Sequence, residues 1–199
     1  MIEVEKKFNF TESDTARLIK GAEFLGEKVF TDTYYDTDNF SLTSKDKWLR
    51  SRGNKFELKL PIDERRHESA DLYNEIDDEN EIRRILNIST GEILTKELEK
   101  NGYKPFSVCK TTRKKYKKGI FNIDLDYVEY KEFNYTLGEI ELLVNEKPEI
   151  DDAIKRIMDF AKENKLTITP VRGKVIEYLK RVKPDHYKVL VKSGVVRDF

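Results

Sequence analysis

Along Glu3–Lys7 every second residue is charged (Glu3, Glu5, Lys7), while Ile2 and Val4 fall between or beside them. Successive side chains of a strand point to opposite faces, so this spacing predicts a strand over Glu3–Phe8 with one ionic and one apolar face. Similar alternation predicts further strands at Val29–Tyr35, Trp48–Ser51, Lys55–Leu60, Tyr73–Ile76, Ser107–Tyr116, Gly119–Tyr127 and Thr136–Asn145. Thr11 with Asp14 three residues on marks a helix start, and Ala16, Leu18 and Ile19 give it an apolar stripe. Ile82, Ile85 and Leu86 predict one short helix between Glu79 and Gly102, and Ile93, Leu94 and Leu98 another. Ile154, Ile157, Met158 and Ala161 make Ile150–Lys165 an amphipathic helix. Val175–Val182 and Tyr187–Val191 also read as helical, separated by Pro184.

The polar stretch Asp36–Lys47 is expected to be a loop with a short turn, and the densely charged Ile62–Asp71 to be exposed and mobile. With no repeat and no Pro/Gly linker, residues 1–199 are expected to form a single catalytic domain. About eight antiparallel strands with intervening helices predict an α+β fold, a closed β-barrel with helices packed outside. A flat sheet with helices on one face is the alternative.

Parity places Trp48, Arg50 and Arg52 on one face, opposite Leu49; Glu57 and Lys59 oppose Phe56, Leu58 and Leu60. Arg113 shares a face with Lys115; Asp124 lies with Asp126, opposite Phe121, Ile123 and Leu125, and Glu139 with Glu141, opposite Ile140 and Leu142. One such pair is ordinary for a half-exposed sheet. The set is not, because these faces hold mainly carboxylates and strong bases. If helices cover the apolar faces and the sheet closes, the ions line its interior. Unpaired, each buried ion would cost several kcal/mol, so that interior must be wet or hold a ligand of complementary charge.

Composition narrows the ligand. Lys+Arg and Asp+Glu both total 38, so no global basic field draws nucleic acid or an anionic membrane. The one cysteine, Cys109, excludes an internal disulfide and is expected as core filler. No apolar leader or membrane-length run is present, which predicts a cytoplasmic protein. His67 and His186 are expected on the solvated surface, and Lys114, Lys115, Lys117 and Lys118 at a hairpin end. Clustered Asp and Glu without His or Cys suit a hard cation such as Mg²⁺ or Mn²⁺, while Arg and Lys suit phosphate oxygens. A metal–polyphosphate complex carries both signs.

These residues resemble the triphosphate tunnel metalloenzymes, which share an E-x-E-x-K motif on their first strand; here it is Glu3-Val4-Glu5-Lys6-Lys7. The likeness extends through Phe30-Thr31-Asp32-Thr33-Tyr34-Tyr35-Asp36-Thr37, Ser41-Leu42, Trp48-Leu49-Arg50, Phe56-Glu57-Leu58-Lys59, Asp124-Leu125-Asp126, Gly138-Glu139-Ile140-Glu141 and Lys174-Val175-Ile176. It implies an eight-stranded tunnel that hydrolyses a small-molecule triphosphate, thiamine triphosphate first, with Mg²⁺, as a monomer without nucleic-acid or membrane partners. It further implies that Lys7, Arg50, Arg52, Lys59, Arg113 and Lys174 grip the triphosphate. Glu3, Glu5, Asp124 and Glu141 would hold metal, and Glu139 would be a further ligand or orient water. Asp126 would support them. Tyr34 and Lys59 would act at the reacting phosphate, and Trp48 would stack on the organic cation. An inorganic tripolyphosphatase, an adenylyl cyclase and a non-catalytic polyphosphate-binding module are the alternatives.

Overall fold

The computed structural model describes residues 2–62 and 71–198. Eight antiparallel strands close into a barrel: β1 (Ile2–Phe8), β2 (Glu23–Asp36), β3 (Trp48–Arg52), β4 (Lys55–Pro61), β5 (Asp71–Ile76), β6 (Lys104–Lys118), β7 (Phe121–Glu129) and β8 (Asn134–Val144). Their order around the ring is β1-β5-β4-β3-β2-β6-β7-β8. Closure excludes the flat-sheet alternative. Six helices accompany the strands: α1 (Glu12–Ile19), α2 (Glu79–Leu86), α3 (Leu94–Lys100), α4 (Ile150–Glu163), α5 (Lys174–Val182) and α6 (Pro184–Lys192). Among the described residues no helix is long and apolar enough to cross a membrane.

The predicted elements all form. Thr11 caps α1, accepting from the Asp14 N–H while the Asp14 carboxylate accepts from the Thr11 N–H. Pro184 opens α6, where its missing N–H costs nothing. β2 begins six residues earlier than the alternation predicts. Between Glu23 and Lys28 the side chains are mostly exposed on both faces, so no period-two contrast marks the strand. Residues 63–70, including His67 and most of the segment expected to be mobile, lie outside the described residues.

The chain divides into two compact units, Met1–Val29 with Ile62–Tyr73 and Thr111–Lys174, and Phe30–Pro61 with Asn74–Lys110 and Val175–Phe199. In the first, Val4, Ile123 and Ile140 pack with Ile150, Ala153 and Ile157 of α4. In the second, Leu49 and Leu58 pack with Ile82 of α2 and with Leu94 and Leu98 of α3. Helices thus cover the apolar face of these strands, and period two turns the ionic face to the barrel's inner side.

Gly53 and Gly138 show two ways in which geometry calls for glycine. Gly53 has φ +60 at the two-residue β3–β4 turn, where such hairpins need a left-handed residue. A Cβ on Gly138 of β8 would stand 1.9 Å from the Phe10 ring.

Candidate active site

In the first unit the register of β7, β8 and β1 brings carboxylates face to face. Glu5 lies opposite Glu141, Lys7 opposite Glu139, and Asp124 opposite Glu139. Like charges directly across a ladder are destabilising, so this register is not chosen for stability. Cations and an amide offset it. Arg113 reaches Asp126 through Nε and Nη2, both at 2.6 Å, Glu139 Oε2 at 2.7 Å, and Asp124 Oδ2 through Nη1 at 2.5 Å. Lys115 stands 3.1 Å from Asp124, Lys7 pairs with Glu5, and Asn122 Nδ2 donates to Glu141 at 2.8 Å.

Burial sets the proton affinities. Asp124 is fully buried, and desolvation raises its carboxyl above the ordinary range against the pull of Arg113 and Lys115. Glu139 is raised by burial and then by the charge of Glu5, with Arg113 and Lys7 opposing. For Arg113, burial acts downward, but bonding to Asp126 and the charges of Glu139, Asp126 and Asp124 outweigh it and hold the guanidinium above its usual value.

Lys174, buried, starts α5, and its carbonyl accepts from the Tyr130 hydroxyl at 2.8 Å. The chain before it passes over Lys7, since a Cβ on Gly173 would lie 3.1 Å from Lys7 Cε. Glu3 sits on β1 opposite Tyr73 and Leu143, at the end of the E-x-E-x-K strand away from Lys7.

The donor set here fits a hard divalent cation. It is all oxygen, and the buried Asp124 Oδ1 has no hydrogen-bond partner among the described residues. Among the described residues no three such side chains are gathered as a ready cage for a metal ion. Their oxygens are engaged instead by Arg113, Lys115, Lys7 and Asn122.

The second unit carries the other group. Arg52 holds the fully buried Asp32 with Nε and Nη2 at 2.7 and 3.0 Å, and its guanidinium lies 3.8 Å over the Phe30 ring. Arg50 approaches Glu57 at 2.5 Å and Asp32 at 3.8 Å, yet among the described residues its buried Nε donates to no acceptor. Burial works against its charge, but Tyr34, Glu57 and Asp32 hold its pKa above the ordinary value. Lys59 pairs with Glu75 and lies across the ladder from Trp48. Tyr34 lies across from Arg50, buried, with its ring 6.2 Å from Phe106. Trp48 is 6% exposed, and its indole N–H donates to Asp46 Oδ1 at 2.9 Å.

Strand parity groups these cations and carboxylates on common faces, but not all their partners. Asp32, Glu75, Lys115 and Asn122 were not assigned to the site. Asp32 shares parity with Tyr34 and Lys115 with Arg113, so a signal existed for both. His186 is a correction. It is 3% exposed, not solvated, with its ring stacked 3.9 Å from that of Phe40 and Nε2 2.7 Å from Thr43 Oγ1. Burial lowers its pKa to about 4. Cys109 is buried, as expected.

A closed antiparallel barrel with cations and carboxylates on the inner strand faces is the architecture of a triphosphate tunnel protein. The chain belongs to that class through the CYTH domain family, whose model matches residues 1–167. It is 28% identical to a thiamine-triphosphatase of Macaca fascicularis over 96% of this chain and 90% of the relative. It is likewise 28% identical to the human thiamine-triphosphatase, over 100% of this chain and 93% of that protein. Among solved structures, the PH1819 protein of Pyrococcus horikoshii OT3 superposes with a TM-score of 0.66 at 25% identity, over 90% of this chain and 99% of that one.

Proposed function

We propose that this chain hydrolyses the terminal phosphoryl group of thiamine triphosphate, giving thiamine diphosphate and orthophosphate, with Mg²⁺ or Mn²⁺ bound to its carboxylates. In this reading the whole chain works as one catalytic domain acting on a small molecule. The observation that carries it is the like-charge register of Glu5 with Glu141 and of Asp124 with Glu139, which a cation would turn from a cost into a site. The thiamine-triphosphatase relatives supply the organic group.

Phosphoryl transfer asks mainly for neutralised charge and in-line positioning. A divalent cation held by Glu5, Asp124 and Glu141, with Glu3 or Glu139 completing the set, would supply charge neutralisation at the phosphate oxygens. Lys7, Arg113 and Lys174 of the first unit and Arg50, Arg52 and Lys59 of the second are the cations assigned to the triphosphate. Arg50 brings a buried Nε–H donor that has no acceptor among the described residues. Water attacks the terminal phosphorus as its bond to the bridging oxygen breaks, and the diphosphate leaves. Lys59 and Tyr34 act at the reacting phosphate, and Glu139 holds the cation or orients the water. Trp48 receives the thiamine ring system through its π face.

Inorganic tripolyphosphatase is a second reading with its own support, since Trp48 is nearly buried and its N–H is already taken by Asp46. Orthophosphate release from thiamine triphosphate, tripolyphosphate and ATP, each with Mg²⁺ and with chelator, separates the readings. The expected result is metal-dependent orthophosphate release with thiamine triphosphate preferred. Preference for tripolyphosphate selects the second reading. Pyrophosphate release from ATP, or no turnover of any substrate, overturns both.

A further inference from the structure

We propose that His186 is a positioning residue for Trp48, through which helix α6 sets the selectivity for the organic part of the substrate; this rests on the reading of Trp48 given above. Three polar links run in series from α6 to the indole. His186 Nε2 meets Thr43 Oγ1 at 2.7 Å. The Thr43 carbonyl accepts the Asp46 N–H at 3.0 Å. Asp46 Oδ1 accepts the Trp48 indole N–H at 2.9 Å.

The loop between β2 and β3 is built to transmit this. At its start the buried Asp36 carboxylate accepts the backbone N–H groups of Thr37, Leu42 and Thr43 at 2.8, 3.0 and 2.8 Å. Phe40 and Asp46 both adopt left-handed backbone, φ 57 and 59. A bulky side chain keeps that conformation only where its surroundings over-determine it. For Phe40 the surroundings are His186, whose ring stacks on it at 3.9 Å with 12° between planes and meets Phe106 at 5.0 Å. Asp46 in turn fixes the rotamer of Trp48, because an indole N–H has one direction in which to donate. Removing His186 releases the first link and one wall of the Phe40 cage. His186 also lies beyond the residues that the family model matches.

The chain has one tryptophan, which makes Trp48 its own reporter. His186→Phe keeps a ring against Phe40 but breaks the polar link, and Thr43→Val breaks it from the other side at nearly constant volume. Each variant, shown folded by its thermal transition, is expected to shift the Trp48 emission. Each is also expected to raise KM for thiamine triphosphate about fivefold, the worth of one buried hydrogen bond, while KM and kcat for tripolyphosphate stay at wild-type values. Thr43→Ser, which keeps the hydroxyl, is expected to behave as wild type. Should His186→Phe fail to fold, Thr43→Val decides. Wild-type emission in a folded variant overturns the proposal, whichever triphosphate the wild type prefers. Failure of the wild type to turn over thiamine triphosphate would instead sink the proposed function and leave the emission test standing.

Discussion

Arg52 illustrates how a single residue is read at this site. Parity with Trp48 and Arg50 placed it on the ionic face, and the fold adds the bidentate grip on Asp32 and the seat over Phe30. Its side chain is 37% exposed, so it is held in one orientation yet remains open to a ligand. Arg52→Ala is expected to lower the rate of orthophosphate release about a hundredfold, the scale on which one lost donor to transition-state charge is felt, with the far-ultraviolet circular dichroism unchanged. A folded variant with undiminished turnover removes Arg52 from the site. Asp32 escaped the sequence reading because a lone acid among Thr and Tyr looks like an ordinary strand residue. Its function as the anchor of two arginines needs the β2–β3 register, which pairs Asp32 with Arg52 and Tyr34 with Arg50.

At the scale of elements the strands and helices were largely legible, because their apolar faces pack on one another and leave a regular period in the sequence. The first half of β2 was not, since pairing of its backbone, and no contrast between its faces, makes it a strand. The environment of His186 was equally hidden. Its neighbours Asp185 and Tyr187 suggest an exposed helix, and burial comes from Phe40 and Phe106, far away in sequence. This misreading has a measurable consequence. The folded His186 has a pKa near 4 against an ordinary value of 6.5, so the native state binds fewer protons than the unfolded chain between those values. The stabilisation is present above pH 6.5 and is lost as pH falls towards 4, on the order of 3 kcal/mol over the full interval. Chemical denaturation at pH 7 and pH 4.5 is expected to show wild type losing more stability than His186→Phe. Equal losses would mean that the imidazole is not buried in solution. Asp124 and Glu139 shift the opposite way in both proteins and cancel from the comparison.

For the whole molecule, net charge conceals the relevant fact. Lys+Arg and Asp+Glu balance at 38 each, yet a subset of both signs meets on shared strand faces of a closed barrel. Which ionic side chains share a strand face was visible in advance, because parity fixes it. The cross-strand partners were not, because they depend on register. Arg113 is shared among Asp124, Asp126 and Glu139, and in the proposed function a metal–triphosphate complex carries the charges that exchange with such pairs. The most direct measurement is a crystal grown with Mn²⁺ and a slowly hydrolysed triphosphate, examined by anomalous scattering. A Mn²⁺ peak on Glu5, Asp124 and Glu141, with the phosphates on Arg50, Arg52 and Arg113, is the predicted result. Metal and phosphate both bound elsewhere, with Arg113 still on its three carboxylates, would contradict it.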